Sequence, residues 1–343
     1  MKIAITGATG GVGSHLIRHL ANEGHEVIAF GRKSNPPPTL KTFSQYKQWD
    51  LDSVDLPKSL DSDIFIHTAG YVEFWGNYQQ MYKTNVEGTL KALRVAQKAK
   101  HFIYISTASV YNSFKDKKNV EENTQYPKRY ANYYAQTKSE AEQVVIKYSS
   151  KFEKVTIVRP HAIYGPGDRI LVPRILASIK KNRAFIIGRG ENHFSVTHVG
   201  NICYGVSLII NSQKKGLTIY NLTDKEPLSI NYIYQRLFTA LELKIQILHL
   251  PYFFAKPLAS ILETTYHMIK STKSPLLTAD MTRQFTQEST LSLGKITAEL
   301  KYNPPYVDED GFRDLKIWID SIGGIKQYME NPNDCWGGKL ITY

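Results

Sequence analysis

One stretch limits what this chain can fold into. Over Met1 to Arg32, a short apolar strand, Lys2-Ile3-Ala4-Ile5, runs through Thr6-Gly7-Ala8-Thr9-Gly10-Gly11-Val12-Gly13 into a helix expected over Ser14–Asn22. Gly7, Gly10 and Gly13 fall where a sharp backbone turn, a close approach to a pyrophosphate and tight helix–strand packing leave no room for a side chain. The helix behind them offers free N–H groups to phosphate oxygens. Glycine turns also serve as plain loops, so context decides. This one opens the chain, follows a strand and precedes an amphipathic helix bearing Val12, Leu16, Ile17 and Leu20. The reading is a dinucleotide-binding unit contacted by Gly7, Thr9, Gly10, Gly11, Val12 and Gly13.

The following residues alternate strand and helix at crossover spacing. Glu26–Phe30 is a buried strand that ends at Gly31-Arg32-Lys33. An NAD-selective fold places an acid at this end to hold the ribose 2′-hydroxyl, whereas an arginine accommodates a 2′-phosphate. The acid is absent, so Arg32 and Lys33 favour NADP(H) over NAD(H); two solvated cations are the plain alternative. Asn35 to Pro38 cannot be helix interior, and the second crossover is expected to be short or irregular. Asp50-Leu51-Asp52 ends a third strand with acids suited to an adenine amino group. Asp63–His67 is a fourth strand, followed by Thr68-Ala69-Gly70, small residues against which a cofactor can lie. A helix over about Tyr78–Lys98 and a strand over Phe102–Ile105 lead to Ser106-Thr107-Ala108-Ser109-Val110-Tyr111. The pattern implies an α/β fold, a doubly wound parallel sheet (Rossmann fold) with ligands at the strands' carboxyl ends.

Tyr134 and Lys138 stand four apart on one predicted helix face, so an ammonium can lie near a phenol and lower its pKa from about 10. The same spacing recurs at Tyr111/Lys115, Tyr252/Lys256 and Tyr266/Lys270; only Tyr134/Lys138 joins a predicted helix to a place just after the Ser-Thr strand end. A sixth strand, Val155–Val158, runs into Arg159-Pro160-His161-Ala162-Ile163-Tyr164-Gly165-Pro166-Gly167-Asp168. Beyond it come a helix over 170–179, strands over 184–187 and 194–199, and a helix over 200–210. No metal site is expected, and His161 and His198 read as structural. The chain is read as a nucleotide-binding core over 1–165, a mixed α/β substrate-binding region over 166–330 interleaved with it, and a loose tail over 331–343.

Between His249 and Pro275, Phe254, Leu258, Ile261, Leu262, Thr265 and Ile269 recur at helical spacing, flanked by Lys256, Lys270 and Lys273. A core helix is the plain reading; a lid over an apolar substrate or a helix lying on anionic lipid are the others. The net charge of +12 would also suit nucleic acid, but the 43 basic residues are scattered, and no nucleic-acid partner is expected. Two cysteines, no signal-peptide pattern and no apolar run near the ~20 residues of a membrane span suggest a cytoplasmic protein.

These motifs together resemble the extended short-chain dehydrogenase/reductase family. The match runs over Thr6-Gly7-x-x-Gly10-x-x-Gly13, Asp50-Leu51, Asn85-Val-x-Gly-Thr89, Ser106-Thr-x-Ser-Val-Tyr111, Tyr134-x-x-x-Lys138 and Arg159-Pro160…Tyr164-Gly-Pro-Gly167. The resemblance implies Tyr134 as acid/base, Lys138 as its pKa partner and ribose ligand, Thr107 as the hydroxyl that holds the substrate oxygen, and Pro160 among the cofactor contacts. Sugar-nucleotide epimerases and dehydratases of the family usually carry an asparagine after the sixth strand, where this chain has Pro160-His161. Val72-Glu73-Phe74-Trp75-Gly76 and the Tyr252–Pro275 stretch look more like the branch of 3β-hydroxysteroid dehydrogenases and 2-alkyl-3-oxoalkanoate reductases. The expected partner is therefore a lipophilic secondary alcohol or ketone; an epimerase or dehydratase using the same Thr/Tyr/Lys set is the alternative. Peripheral membrane contact through 249–275 and a homodimer are further candidates.

Overall fold

Runs of isoleucine, valine and aromatic residues long enough to be covered on both faces build the central sheet. The structure, a computed structural model, describes all residues except 58–59, 74, 112–113, 270–274, 276, 332–335 and 338–343. Seven parallel strands lie in the order Gly216–Leu222, Lys154–Pro160, His101–Ile105, Ile64–His67, Lys2–Thr6, Glu26–Gly31, Gln45–Gln48. Strand order reverses between Lys2–Thr6 and Ile64–His67, whose last residues Thr6 and His67 are in register. The glycine turn and Thr68-Ala69-Gly70 both leave the sheet at that switch point, where open α/β sheets hold their ligands.

Side chains alternate across the pleat. Ile3, Ile5, Ile64, Ile66 and Ile103 pack with helix residues Leu16, Ile17 and Leu20 on one face, while Ala4, Phe65, Phe102, Tyr104 and Ile157 pack with Ala141 and Val145 on the other. A separate core of Tyr164, Ile175, Ile186, Leu237, Phe312 and Trp318 holds the smaller C-terminal region together.

Several elements depart from expectation. The edge strand Gly216–Leu222 has no counterpart in the sequence reading; its first two residues are exposed, and Thr218 and Asn221 interrupt its apolar pattern. The second crossover is a six-residue helix, Pro38–Phe43, with proline in its first turn, where a missing N–H costs nothing. The helix expected over 78–98 is broken by a wide π turn at Lys83–Glu87, between Tyr78–Tyr82 and Gly88–Val95. Of the tail, Trp336 is not loose: it is buried, its indole N–H donates to the Ala8 carbonyl at 2.9 Å, and Arg18 lies over its ring. The Tyr252–Met268 helix reverses the core reading of its apolar stripe, since Phe254, Leu258 and Ile261 face solvent while the small Ala255 and Ala259 are the residues it buries.

Burial also fixes a pH dependence. Desolvation holds His67, His161 and His198 down to about 3 and His101 to about 4, and it lowers His15 strongly as well. Each contributes stability present above about 6.5 and lost as pH falls, because the unfolded chain takes up the proton. Burial lifts Asp168 and Asp224 to about 6, and their contribution runs the other way, present below about 3.9 and lost as pH rises through 6. Five imidazoles outweigh two carboxylates, so unfolding near pH 5 takes up about three protons. The melting temperature is expected to fall between pH 7 and pH 5; a rise over that interval would show these imidazoles to be charged in the folded state.

Candidate active site

The glycine turn is shaped by what crowds it. Gly7 has φ +75°, and a Cβ on Gly13 would collide with the Gly7 carbonyl oxygen. The helix Gly11–Asn22 starts without a side-chain cap or an acid in its first turn, leaving its first amides for an anion. A segment from the far side of the sheet closes over this turn. A Cβ on Gly11 would stand 3.0 Å from the Gly167 carbonyl oxygen, and one on Gly10 3.5 Å from an Arg169 guanidinium nitrogen. His15 Nε2 is 2.8 Å from the Pro166 carbonyl. Arg169, which the sequence reading passed over, is thus a cation beside the phosphate cradle; the Gly-Pro-Gly-Asp-Arg run was its signal.

Thr68 Oγ1 donates to the Thr6 carbonyl at 2.7 Å, and the Ala69 amide lies 3.3 Å from Thr6 Oγ1. Asn85, turned inward by the π turn, accepts from the Tyr71 amide at 2.7 Å and donates to the Tyr71 carbonyl and to Thr137 Oγ1, each at 3.1 Å. One side chain therefore ties the Thr68–Gly70 segment to the Tyr133–Tyr148 helix. Arg32 and Lys33 are exposed at the end of Glu26–Gly31, with their carbonyls held by the Gln48 amide at 3.1 Å and the Tyr46 hydroxyl at 2.7 Å. Asp50 accepts from the Asp52 amide at 3.0 Å, and Leu51 is buried against Gly88.

A cavity of about 580 Å³ runs from Gly10–Gly13 past Thr68, Gly70, Ser106, Thr107, Tyr134 and Pro160 into the C-terminal region. Thr107 lies beyond the strand end, with its Oγ1 held 3.1 Å from the Ser109 amide. Tyr134, in the first turn of a helix capped by Asn132, hydrogen-bonds the Thr107 side chain. Burial pushes the Tyr134 phenol up to about 12, and the Thr107 bond only partly offsets this. The expected lowering by Lys138 does not operate here. The Lys138 ammonium donates to the Ile105 carbonyl at 2.9 Å, lies 4.2 Å from the Tyr104 ring centre, and is itself pulled down to about 7 by burial. Ser106 Oγ is buried on the cavity wall with no hydrogen-bond partner among the described residues.

Residues 3–223 match the family described as the NAD dependent epimerase/dehydratase family. The chain belongs to this family. Among its relatives, a 2-alkyl-3-oxoalkanoate reductase of Shewanella oneidensis is 24% identical over 328 residues, covering 91% of this chain and 84% of that protein. A sterol-4-alpha-carboxylate 3-dehydrogenase, decarboxylating, of Mus musculus is 27% identical over 288 residues, covering 80% and 77%. The crystal structure of UDP-glucuronic acid 4-epimerase from Bacillus cereus in complex with NAD shares the fold, with a TM-score of 0.70, 24% identity and coverage of 92% of this chain and 97% of that one. This member of the family is an enzyme, an NAD(P)-dependent dehydrogenase or reductase acting on a CH–OH/C=O group. The uncapped helix start, the side-chain-free cradle and the unpartnered Ser106 hydroxyl fit a dinucleotide. Among the described residues no cluster of histidine, cysteine and carboxylates could hold a metal.

Proposed function

We propose that this enzyme transfers a hydride between NADP(H) and a lipophilic secondary alcohol or ketone, of the 3β-hydroxysteroid or long-chain 3-oxoacid kind. The observation that carries the reading is the wall of the cavity beyond Thr107 and Tyr134, built from Leu171, Ile175, Phe185, Phe194, Leu277 and Met281. Apolar walls with few polar groups suit a lipophilic ligand. Half-buried Lys117 also lines the cavity, with Asp280 as a charged neighbour, and would face a substrate carboxylate. Against an epimerase stands His161 where sugar-nucleotide enzymes usually carry asparagine. Its Nδ1 is taken by the Ser195 carbonyl at 2.7 Å and its Nε2 lies 3.3 Å from Ser289 Oγ.

The bound nicotinamide supplies or accepts the hydride. Gly10–Gly13 and Arg169 would hold the pyrophosphate, Lys138 and Ser106 the nicotinamide end, Asp50 and Leu51 the adenine end, and Arg32 with Lys33 a 2′-phosphate. In reduction, Thr107 and Tyr134 bind the carbonyl oxygen, and Tyr134 gives it a proton as negative charge develops there. A cytoplasmic location agrees with Cys203 as a buried free thiol.

Assays of NADPH and NADH oxidation with a 2-alkyl-3-oxoacid and a 3-ketosteroid test the reading. Arg32→Ala is expected to raise KM for NADPH roughly 10-fold or more, the worth of a charge-assisted hydrogen bond, and to leave KM for NADH unchanged. Equal effects on both cofactors would remove the 2′-phosphate assignment; turnover of a UDP-sugar without net NADPH consumption would favour the epimerase.

A further inference from the structure

The Tyr252–Met268 helix is turned inside out for a core element. Its small residues Ala255 and Ala259 are fully buried, whereas Phe253, Phe254, Ile261 and Met268 are 68%, 59%, 63% and 79% exposed. At about 100° per residue, Phe254, Leu258, Ile261, Thr265 and Met268 share one continuous arc that points away from the protein. The helix's single acid, Glu263, is not on that arc: its carboxylate accepts from the Ala279 amide at 2.9 Å, on the inner side. Cations border the N-terminal end instead. Lys256 is exposed on the helix flank, Arg189 is exposed next to Gly188, whose amide is bonded to the Leu250 carbonyl, and exposed Lys180 shares the cavity wall with Leu250.

We propose that this face docks on an anionic lipid bilayer, with the aromatic and aliphatic arc at the headgroup boundary and Lys180, Arg189 and Lys256 against the lipid phosphates. An exposed apolar arc without acids and with a basic border is the composition an interfacial helix needs. A contact between two copies through this face would set the same cations against their own image, which disfavours it. The location has a use. Leu250 immediately before the helix, and Leu277 and Met281 in the segment it packs on, line the substrate cavity, so docking sets that cavity beside the lipid phase. The inference stands on the helix and its charges, whichever substrate is turned over.

Flotation of the full chain with vesicles of phosphatidylcholine, with and without phosphatidylglycerol, tests it. The protein should float with the mixed vesicles and much less with phosphatidylcholine alone. Phe254→Glu combined with Ile261→Glu should cut the floated fraction about tenfold or more while the thermal transition stays in place. Should that variant fail to fold, Lys256→Glu with Arg189→Glu must abolish the preference for phosphatidylglycerol. The proposal is overturned if the wild type ignores mixed vesicles, if the folded Phe254/Ile261 variant floats like wild type, or if sedimentation shows a dimer that this variant splits.

Discussion

Tyr134→Phe is expected to lower turnover of a confirmed ketone by roughly 10²–10⁴-fold while leaving its KM close to that of the wild type, because positioned proton transfer is worth about that much. The substitution removes one oxygen from a ring that is 8% exposed, so the cavity wall keeps its shape. What is lost is the proton. Thr107 cannot replace it, since its hydroxyl already donates to Ser109 Oγ at 3.1 Å and accepts from the Ser109 amide at 3.1 Å. With the phenol pushed up to about 12, Tyr134 carries its proton throughout the neutral range and is ready as a donor in the reductive direction. Oxidation requires the opposite state. For that direction the Lys138 ammonium has to move its charge towards the phenol from its bond to the Ile105 carbonyl. Steady-state kinetics in both directions check the assignment: retention of near-normal kcat by Tyr134→Phe would mean that another group delivers the proton.

The parts of this fold that could be read from sequence are those where burial dictates composition. Lys2–Thr6, Ile64–His67 and His101–Ile105 are covered on both faces and appear as unbroken apolar runs. Thr107, Tyr134 and Lys138 were locatable because a strand end and a helix face are short-range features. Long-range choices left weaker traces. Periodicity marks an apolar stripe on Tyr252–Met268, but not which side the rest of the chain covers; the decision rests with Ala255 and Ala259, small enough for close approach. Trp336 docks on Ala8 across 328 residues, and no local pattern announces such a contact. Electrostatics behaved alike. A Tyr–Lys pair four apart predicts a lowered phenol pKa only if the ammonium faces the phenol, and here a backbone carbonyl takes it. Glu142 and Arg159 are both buried, and no local pattern in the sequence pairs them.

That pair carries the largest expected effect on stability. Arg159 Nη2 lies 2.6 Å from a Glu142 oxygen, with 1% and 0% of the two residues exposed. Its Nε also donates to Glu142 at 3.0 Å, and its Nη1 donates to the Tyr111 hydroxyl at 2.9 Å and the Glu122 carbonyl at 3.2 Å, while the Tyr126 hydroxyl donates to Glu142 at 2.5 Å. The network ties the last sheet strands to the helix that bears Tyr134 and Lys138, Glu142 being one helical turn beyond Lys138. Removing one charge strands the other in a dry interior, which costs about 3–5 kcal/mol against a total of about 5–15. Arg159→Leu is therefore expected to lose that amount in urea unfolding. Arg159→Leu with Glu142→Leu should lose less than Arg159→Leu alone, since no unpaired charge remains and apolar replacements of buried pairs are often tolerated. If the single and double variants were equally destabilised, packing of the long side chains rather than charge pairing would be what this network contributes.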